Sequence, residues 1–139
     1  MSTHITLTII KPDAVRRSST GEILSMIELA GFRISALKMI QLDHKRASTF
    51  YEVHKGKSFY DPLIKFMTSG PVVVAILEKQ DAVEEYRKLM GQTDPSEAIS
   101  GTIRHRFGTT VRENAVHGSD SVINAEKECN FFFSTDERF

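Results

Sequence analysis

Isoleucine and leucine alternate with threonine from Ile5 to Ile10, and the run halts at Lys11-Pro12-Asp13. Alternation of period two predicts a strand, and Pro12, which lacks a ladder donor and biases Lys11 towards extended backbone, predicts a turn after it. From Thr20-Gly21-Glu22 the period lengthens. Ile23, Leu24, Ile27 and Ala30 fall on one helical face, and Gly31 supplies the stop. Phe32 to Leu42 reads as a second strand, with Phe32, Ile34, Ala36, Ile40 and Leu42 on one parity. Asp43 is placed to cap a helix carrying Ala47, Phe50, Tyr51 and His54. A short helix follows from about Phe59 to Met67, with Leu63 and Phe66 or Met67 on its buried side, until Gly70-Pro71 breaks it.

Pro71 to Leu77 is an unbroken apolar run of strand length, expected at the centre of a sheet and buried on both faces. Asp81 is expected to cap a helix through Val83, Tyr86 and Met90, ended by Gly91. Residues 92–113 show little periodicity and read as a long functional loop. Ala115-Val116-His117 reads as a short last strand, and Ser119-Asp120-Ser121 as the cap of a helix running to about Cys129. The order strand–helix–strand, helices, strand–helix–strand–helix predicts an α+β sandwich of the ferredoxin-like, split βαβ kind: a four-stranded antiparallel sheet covered by helices. With no internal repeat or Gly/Ser linker, residues 1–139 read as one domain.

Composition narrows the possibilities. The 139 residues are 40% hydrophobic and 26% charged, enough to bury a core. Eighteen basic residues balance eighteen acidic ones, which argues against coating a long nucleic acid or an anionic membrane but leaves room for a local basic pocket. Cys129 is the only cysteine, so no internal disulfide forms and a reducing, cytoplasmic setting is expected. Met1-Ser2-Thr3-His4 has neither the basic segment of a secretory signal nor an anchor, and Val72 to Leu77 is too short to span a bilayer.

Several familiar signatures fail. Gly56-Lys57-Ser58 resembles the end of a phosphate-binding P-loop, but Tyr51 stands where that loop needs glycine. No two glycines are separated by one residue, no histidines form a zinc-protease array, and no Gly-x-Ser-x-Gly elbow occurs. Asn114-Ala115-Val116-His117-Gly118-Ser119-Asp120-Ser121 is different. It sets an imidazole at a strand end, with Gly118 expected to leave open space beside it and a helix start whose donors favour an anion. A largely neutral imidazole is a competent nucleophile towards phosphorus. A lone histidine is more often a structural residue bonded to a helix cap, so the site needs cations too. Lys11, at the end of the first strand, Arg87 and Arg104 are the candidates; taken singly, each reads as a solvated surface charge.

The string Asn114-x-x-His117-Gly118-Ser119-Asp120-Ser121 resembles the signature of nucleoside diphosphate kinases. So, in order, do Ile9-Ile10-Lys11-Pro12-Asp13, Phe50-Tyr51, Phe59, Met67-Thr68-Ser69-Gly70-Pro71-Val72, Gly91-x-Thr93-x-Pro95 and Gly101-Thr102-Ile103-Arg104. The chain is similar to short bacterial members of that family over nearly its whole length. The resemblance implies a ping-pong transfer of the γ-phosphoryl group of a nucleoside triphosphate, typically ATP, through phospho-His117 to a nucleoside diphosphate, maintaining NTP and dNTP pools.

It also implies the roles of single residues. Glu128 would accept a hydrogen bond from the far nitrogen of His117, Ser119 would link to Glu128, and Lys11 would join them in catalysis. Tyr51, Arg87, Thr93 and Arg104 would hold phosphates, and Lys11 and Asn114 the sugar hydroxyl region. Phe59 and Val111 would sandwich the base with Leu63 nearby, a stacking tolerant of base identity. Taken without the resemblance, Glu128 reads as an exposed helix charge, and Tyr51, Phe59, Leu63 and Val111 as core or loop packing. Mg2+ would arrive on the phosphates with no dedicated protein ligands.

A homo-oligomer, tetramer or hexamer, is implied as well. The chain departs from the common pattern at Arg106, where many members carry an acid, at Ser100, where many carry proline, and in stopping soon after Phe133. An RNA-binding module lacks its aromatic consensus here. A protein-phosphorylating role of phospho-His117 is compatible with the enzyme. A purely structural oligomer would make Lys11, Arg87, Arg104, Asn114 and His117 a coincidence.

Overall fold

The computed structural model describes residues 4–139, so the reading of Met1-Ser2-Thr3 lies outside the described residues. Four strands, β1 (Ile5–Ile10), β2 (Arg33–Ile40), β3 (Val72–Glu78) and β4 (Val116–Gly118), pair in the order β2-β3-β1-β4. Every pairing is antiparallel, as the split βαβ reading expects. β3 is buried along its length. Val72, Val74 and Ile76 face one core and Val73, Ala75 and Leu77 the other.

One core lies under α1 (Pro12–Arg16), α2 (Thr20–Leu29), α5 (Ala82–Met90) and α6 (Ile103–Phe107); the other lies under α3 (His44–Phe50), α4 (Tyr60–Met67) and α7 (Val122–Phe132). The threonines of β1 do not face water. Thr6 and Thr8 are fully buried, and the Thr8 hydroxyl lies 2.6 Å from that of Tyr86. Among the described residues no helix is long and apolar enough to cross a membrane.

Five local expectations change. The Lys11-Pro12-Asp13 turn is the start of α1, with Pro12 in its first turn, where a missing N–H costs nothing. In β2 a bulge between Ile34 and Ala36 breaks the single parity: Phe32 and Ile34 join the α2/α5 core, whereas Ala36, Ile40 and Leu42 join the other. Asp81 precedes α5 but accepts no capping hydrogen bond; its backbone is left-handed, at φ 55°. Residues 92–113 are not structureless, because they hold a 3-10 turn (Pro95–Glu97) and α6, whose first turn is capped when the Thr102 hydroxyl accepts from His105 N. α7 runs on to Phe132, past Cys129.

Candidate active site

Ile9 and His117 are direct partners in the β1–β4 ladder, so both side chains point to the α3/α7 side of the sheet. There α7 presents Glu128. His117 Nε2 lies 2.9 Å from Glu128 Oε1, and Ser119 Oγ donates to the same oxygen at 2.7 Å. Ser119 in turn accepts from the Leu7 backbone N–H at 3.1 Å, which fixes its hydroxyl on the central strand. A carboxylate at Nε2 holds the proton there and leaves the Nδ1 lone pair free. The two side chains are each 19% exposed, which shields the pair from water without closing it off.

Phe50 approaches the imidazole edge-on, with centroids 5.4 Å apart, and Tyr51 follows at 6.4 Å. One expectation about this segment is corrected and one is met. Gly118 does not open space beside His117: it points to the opposite face, where a Cβ would lie 2.7 Å from Met90 Sδ and 2.9 Å from Tyr86 Cδ2. Ser121 caps α7 as the sequence predicts, its hydroxyl accepting from Asn124 N, and the imidazole takes its partner from the body of the helix.

The cations converge from three segments. Lys11 is 7% exposed, and its Nζ donates to Asn114 Oδ1 at 2.8 Å and to Arg112 O at 3.4 Å. Burial, reinforced by the nearby Arg104 guanidinium, pulls its pKa down to about 8. Asn114 passes the connection on, donating to Thr93 O at 3.0 Å and to Val111 O at 2.9 Å. Arg104 is buried, donates to Gly91 O at 3.1 Å and to Val116 O at 2.9 Å, and keeps its Nε without a partner. Burial holds its pKa below the usual guanidinium range. Arg87, Thr93 and Arg104 share the walls of a hollow of about 520 Å³, which His117 does not line.

The apolar side is looser. Tyr51 is buried with its hydroxyl unpartnered, and burial together with Glu128 keeps that hydroxyl protonated. His54 stacks on Tyr51 and leans on Phe59 at 5.2 Å. Phe59 and Val111 are 44% and 58% exposed, two apolar side chains standing in water on separate segments. Leu63 is half-buried against the α4 core and belongs as much to packing as to the site. Phe50, His54 and Asp13 were not singled out for this site from the sequence. Asp13 had a visible signal, a carboxylate fixed beside Lys11 by proline.

The nucleoside diphosphate kinase family model matches residues 4–138. A nucleoside diphosphate kinase from Psychromonas ingrahamii is 54% identical over 132 residues, covering 95% of this chain and 92% of its own. That of Halorhodospira halophila is 50% identical over 137 residues, covering 99% and 97%. The chain belongs to the nucleoside diphosphate kinase family. Solved structures agree with its fold: the Aquifex aeolicus nucleoside diphosphate kinase superposes with a TM-score of 0.95 at 43% identity, covering 97% of this chain and 98% of its own. The Halobacterium salinarum enzyme in complex with CDP gives 0.94 at 37% identity, covering 97% and 90%.

As a nucleoside diphosphate kinase it transfers the γ-phosphoryl group of a nucleoside triphosphate to a nucleoside diphosphate. Arg106 and Ser100 take no part in the site hydrogen bonds described above. Arg106 extends from α6 to an exposed ion pair with Glu22 of α2 at 3.2 Å, and Ser100 sits in an exposed turn before Gly101.

Proposed function

We propose that His117 Nδ1 is the nucleophile of a ping-pong phosphotransfer. Its lone pair forms the N–P bond as the bond from the γ-phosphorus to the β–γ bridging oxygen breaks, and the diphosphate leaves with that electron pair. A second nucleoside diphosphate then attacks the phosphorus through a β-phosphate oxygen, and the N–P electrons return to Nδ1. The carrying observation is the Glu128–His117 hydrogen bond of 2.9 Å with Ser119 locked behind it, which selects the tautomer this step needs. The carboxylate also offsets the charge that grows on the ring as the bond forms.

In this reading Tyr51, Arg87, Thr93 and Arg104 hold phosphate oxygens and neutralise charge moving to the leaving group. Lys11 and Asn114, already paired at 2.8 Å, take the sugar hydroxyl region. Phe59 and Val111 hold the base between them with Leu63 behind. Among the described residues no three His, Cys, Asp or Glu side chains gather to hold a metal ion, and the site is lined by cations. That donor set fits Mg2+ carried on the nucleotide phosphates, where it would neutralise phosphate charge.

We read residues 1–139 as one domain, because both cores share one sheet. Assembly into a tetramer or hexamer is supported by exposed Leu29, Leu37 and Met39 on and beside the edge strand β2. A cytoplasmic setting suits Cys129, whose thiol is buried and held protonated by a pKa pushed up to about 12.

The test is labelling with ATP carrying 32P at the γ-position. An acid-labile, base-stable phosphoenzyme that discharges on addition of GDP or CDP is expected. Failure of the wild type to label, or equal labelling of His117→Ala, overturns the mechanism.

A further inference from the structure

Three residues after its last β1 position, the chain reaches back to the strand that bears His117. Asp13 is 2% exposed, and its Oδ2 accepts from the Ala115 backbone N–H at 3.1 Å. Ala115 is fully buried, with φ +74°, and Val116 N donates to Asn114 O at 2.9 Å across it. That bond closes the rarer, strained form of γ-turn, in a residue with a Cβ. Such a backbone is strained and persists only where its surroundings over-determine it. The opposite side of Ala115 is tied as well, since its carbonyl accepts from Lys11 N at 2.8 Å. Both polar backbone groups of the strained residue are thus held by the single segment Lys11-Pro12-Asp13.

The turn has catalytic neighbours on either side. Asn114, immediately before it, accepts from Lys11 Nζ; His117, two residues after it, meets Glu128. Relaxing Ala115 to an ordinary φ would rotate the start of β4 and re-aim both side chains. We propose that Asp13 is a positioning residue for phosphotransfer, whose carboxylate holds the Ala115 turn and thereby aligns His117 and the Lys11–Asn114 pair. The proposal rests on the reading of His117 as nucleophile. Pro12 supports it from behind: it opens α1 and sets Asp13 one residue into the helix, under the Ala115 amide.

The chemistry of Asp13 is that of an acceptor alone. An asparagine keeps one carbonyl oxygen of the same shape, whereas alanine leaves the Ala115 N–H buried and unpaired. Glycine at position 115 would take the positive φ at little cost and make the clamp less necessary. These differences define the experiment, in which the rate of His117 labelling by γ-32P-ATP is measured on full-length protein. The folded fraction of each variant is fixed separately by circular dichroism.

Asp13→Ala is expected to label about 10- to 100-fold more slowly per folded molecule, with kcat falling more than KM changes. Asp13→Asn should stay within about threefold of wild type, and Ala115→Gly should recover part of the rate when combined with Asp13→Ala. In 15N spectra the two His117 ring nitrogens, distinct in the wild type, should move towards a common average in Asp13→Ala.

Should Asp13→Ala not fold, the double variant with Ala115→Gly takes its place under the same criteria. Unchanged labelling per folded molecule, with stability alone reduced, overturns the proposal; so does an Asp13→Asn variant as slow as Asp13→Ala. Failure of the underlying reading looks different. There the wild type does not label, or His117→Ala labels equally, whatever Asp13 does.

Discussion

Ser119 Oγ and His117 Nε2 meet at one oxygen of Glu128, at 2.7 and 2.9 Å, so two donors share a single acceptor atom. Because Ser119 is itself held by Leu7 N, the imidazole is oriented through three links from the backbone of a central strand. Ser119→Ala removes two bonds at once and leaves the Leu7 N–H buried. We expect an unfolding free energy lower by about 1–3 kcal/mol in urea titrations. Phosphoenzyme formation should slow by about tenfold in rapid-quench experiments, as for other groups that orient an imidazole.

Lys11 yields a pH signature. Its folded pKa of about 8 lies below the ordinary 10.5, so the unfolded chain binds the proton more tightly. The cost of burying the charge is fully present below about 8, and the contribution of Lys11 to stability improves as pH rises from there to 10.5. Affinity for the nucleotide should run the other way, weakening across the same window as the cation is lost. Titration calorimetry with ADP should show this fall in the wild type and none with Lys11→Met.

Gly118→Ala tests the packing under β4. The added Cβ would press on Met90 Sδ at 2.7 Å and on the Tyr86 ring at 2.9 Å, and overpacking of this kind costs about 1–3 kcal/mol. The Met90 end can swing away; the buried Tyr86 ring, with its hydroxyl 2.6 Å from that of Thr8, cannot. The loss should appear in the urea midpoint.

Phe59→Ala should separate binding from folding. With 44% of Phe59 exposed, its truncation is expected to change stability by no more than about 0.5 kcal/mol. Loss of base stacking should weaken nucleotide binding by about 1–3 kcal/mol for purine and pyrimidine diphosphates alike. Comparing GDP and CDP affinities of the variant with its urea midpoint checks both halves.

The long helices were legible in the sequence because burial on one face sets their period, β1 because isoleucine and leucine alternate with threonine, and β3 because an unbroken apolar run of strand length marks burial on both faces; the antiparallel order followed from the element sequence. What failed was short and held by partners far along the chain. α6 is five residues long, and its one local sign, the Thr102 cap, lies in a segment without apolar period. The β2 bulge moved Ala36 to the opposite face from Ile34, a shift of one residue that parity alone cannot register. Gly118 was read for the space it leaves, whereas the structure spends that space on Met90 and Tyr86. Of the site, His117, Glu128 and Ser119 meet in one hydrogen-bonded set. Phe50 and Asp13 act through contacts with residues 67 and 102 positions away, which no local pattern encodes.

Arg104 also guards the sheet. β4 is a three-residue strand at the sheet's edge, and in its ladder Val116 is the member of a wide pair whose carbonyl turns away from β1. That carbonyl would be an open invitation to a foreign strand, but Arg104 Nη2 already occupies it at 2.9 Å. An Arg104→Ala chain would therefore strip that carbonyl of its donor at the strand edge, next to His117. Its self-association, followed by light scattering as the protein is concentrated, would report on a duty of this residue that kinetics never sees.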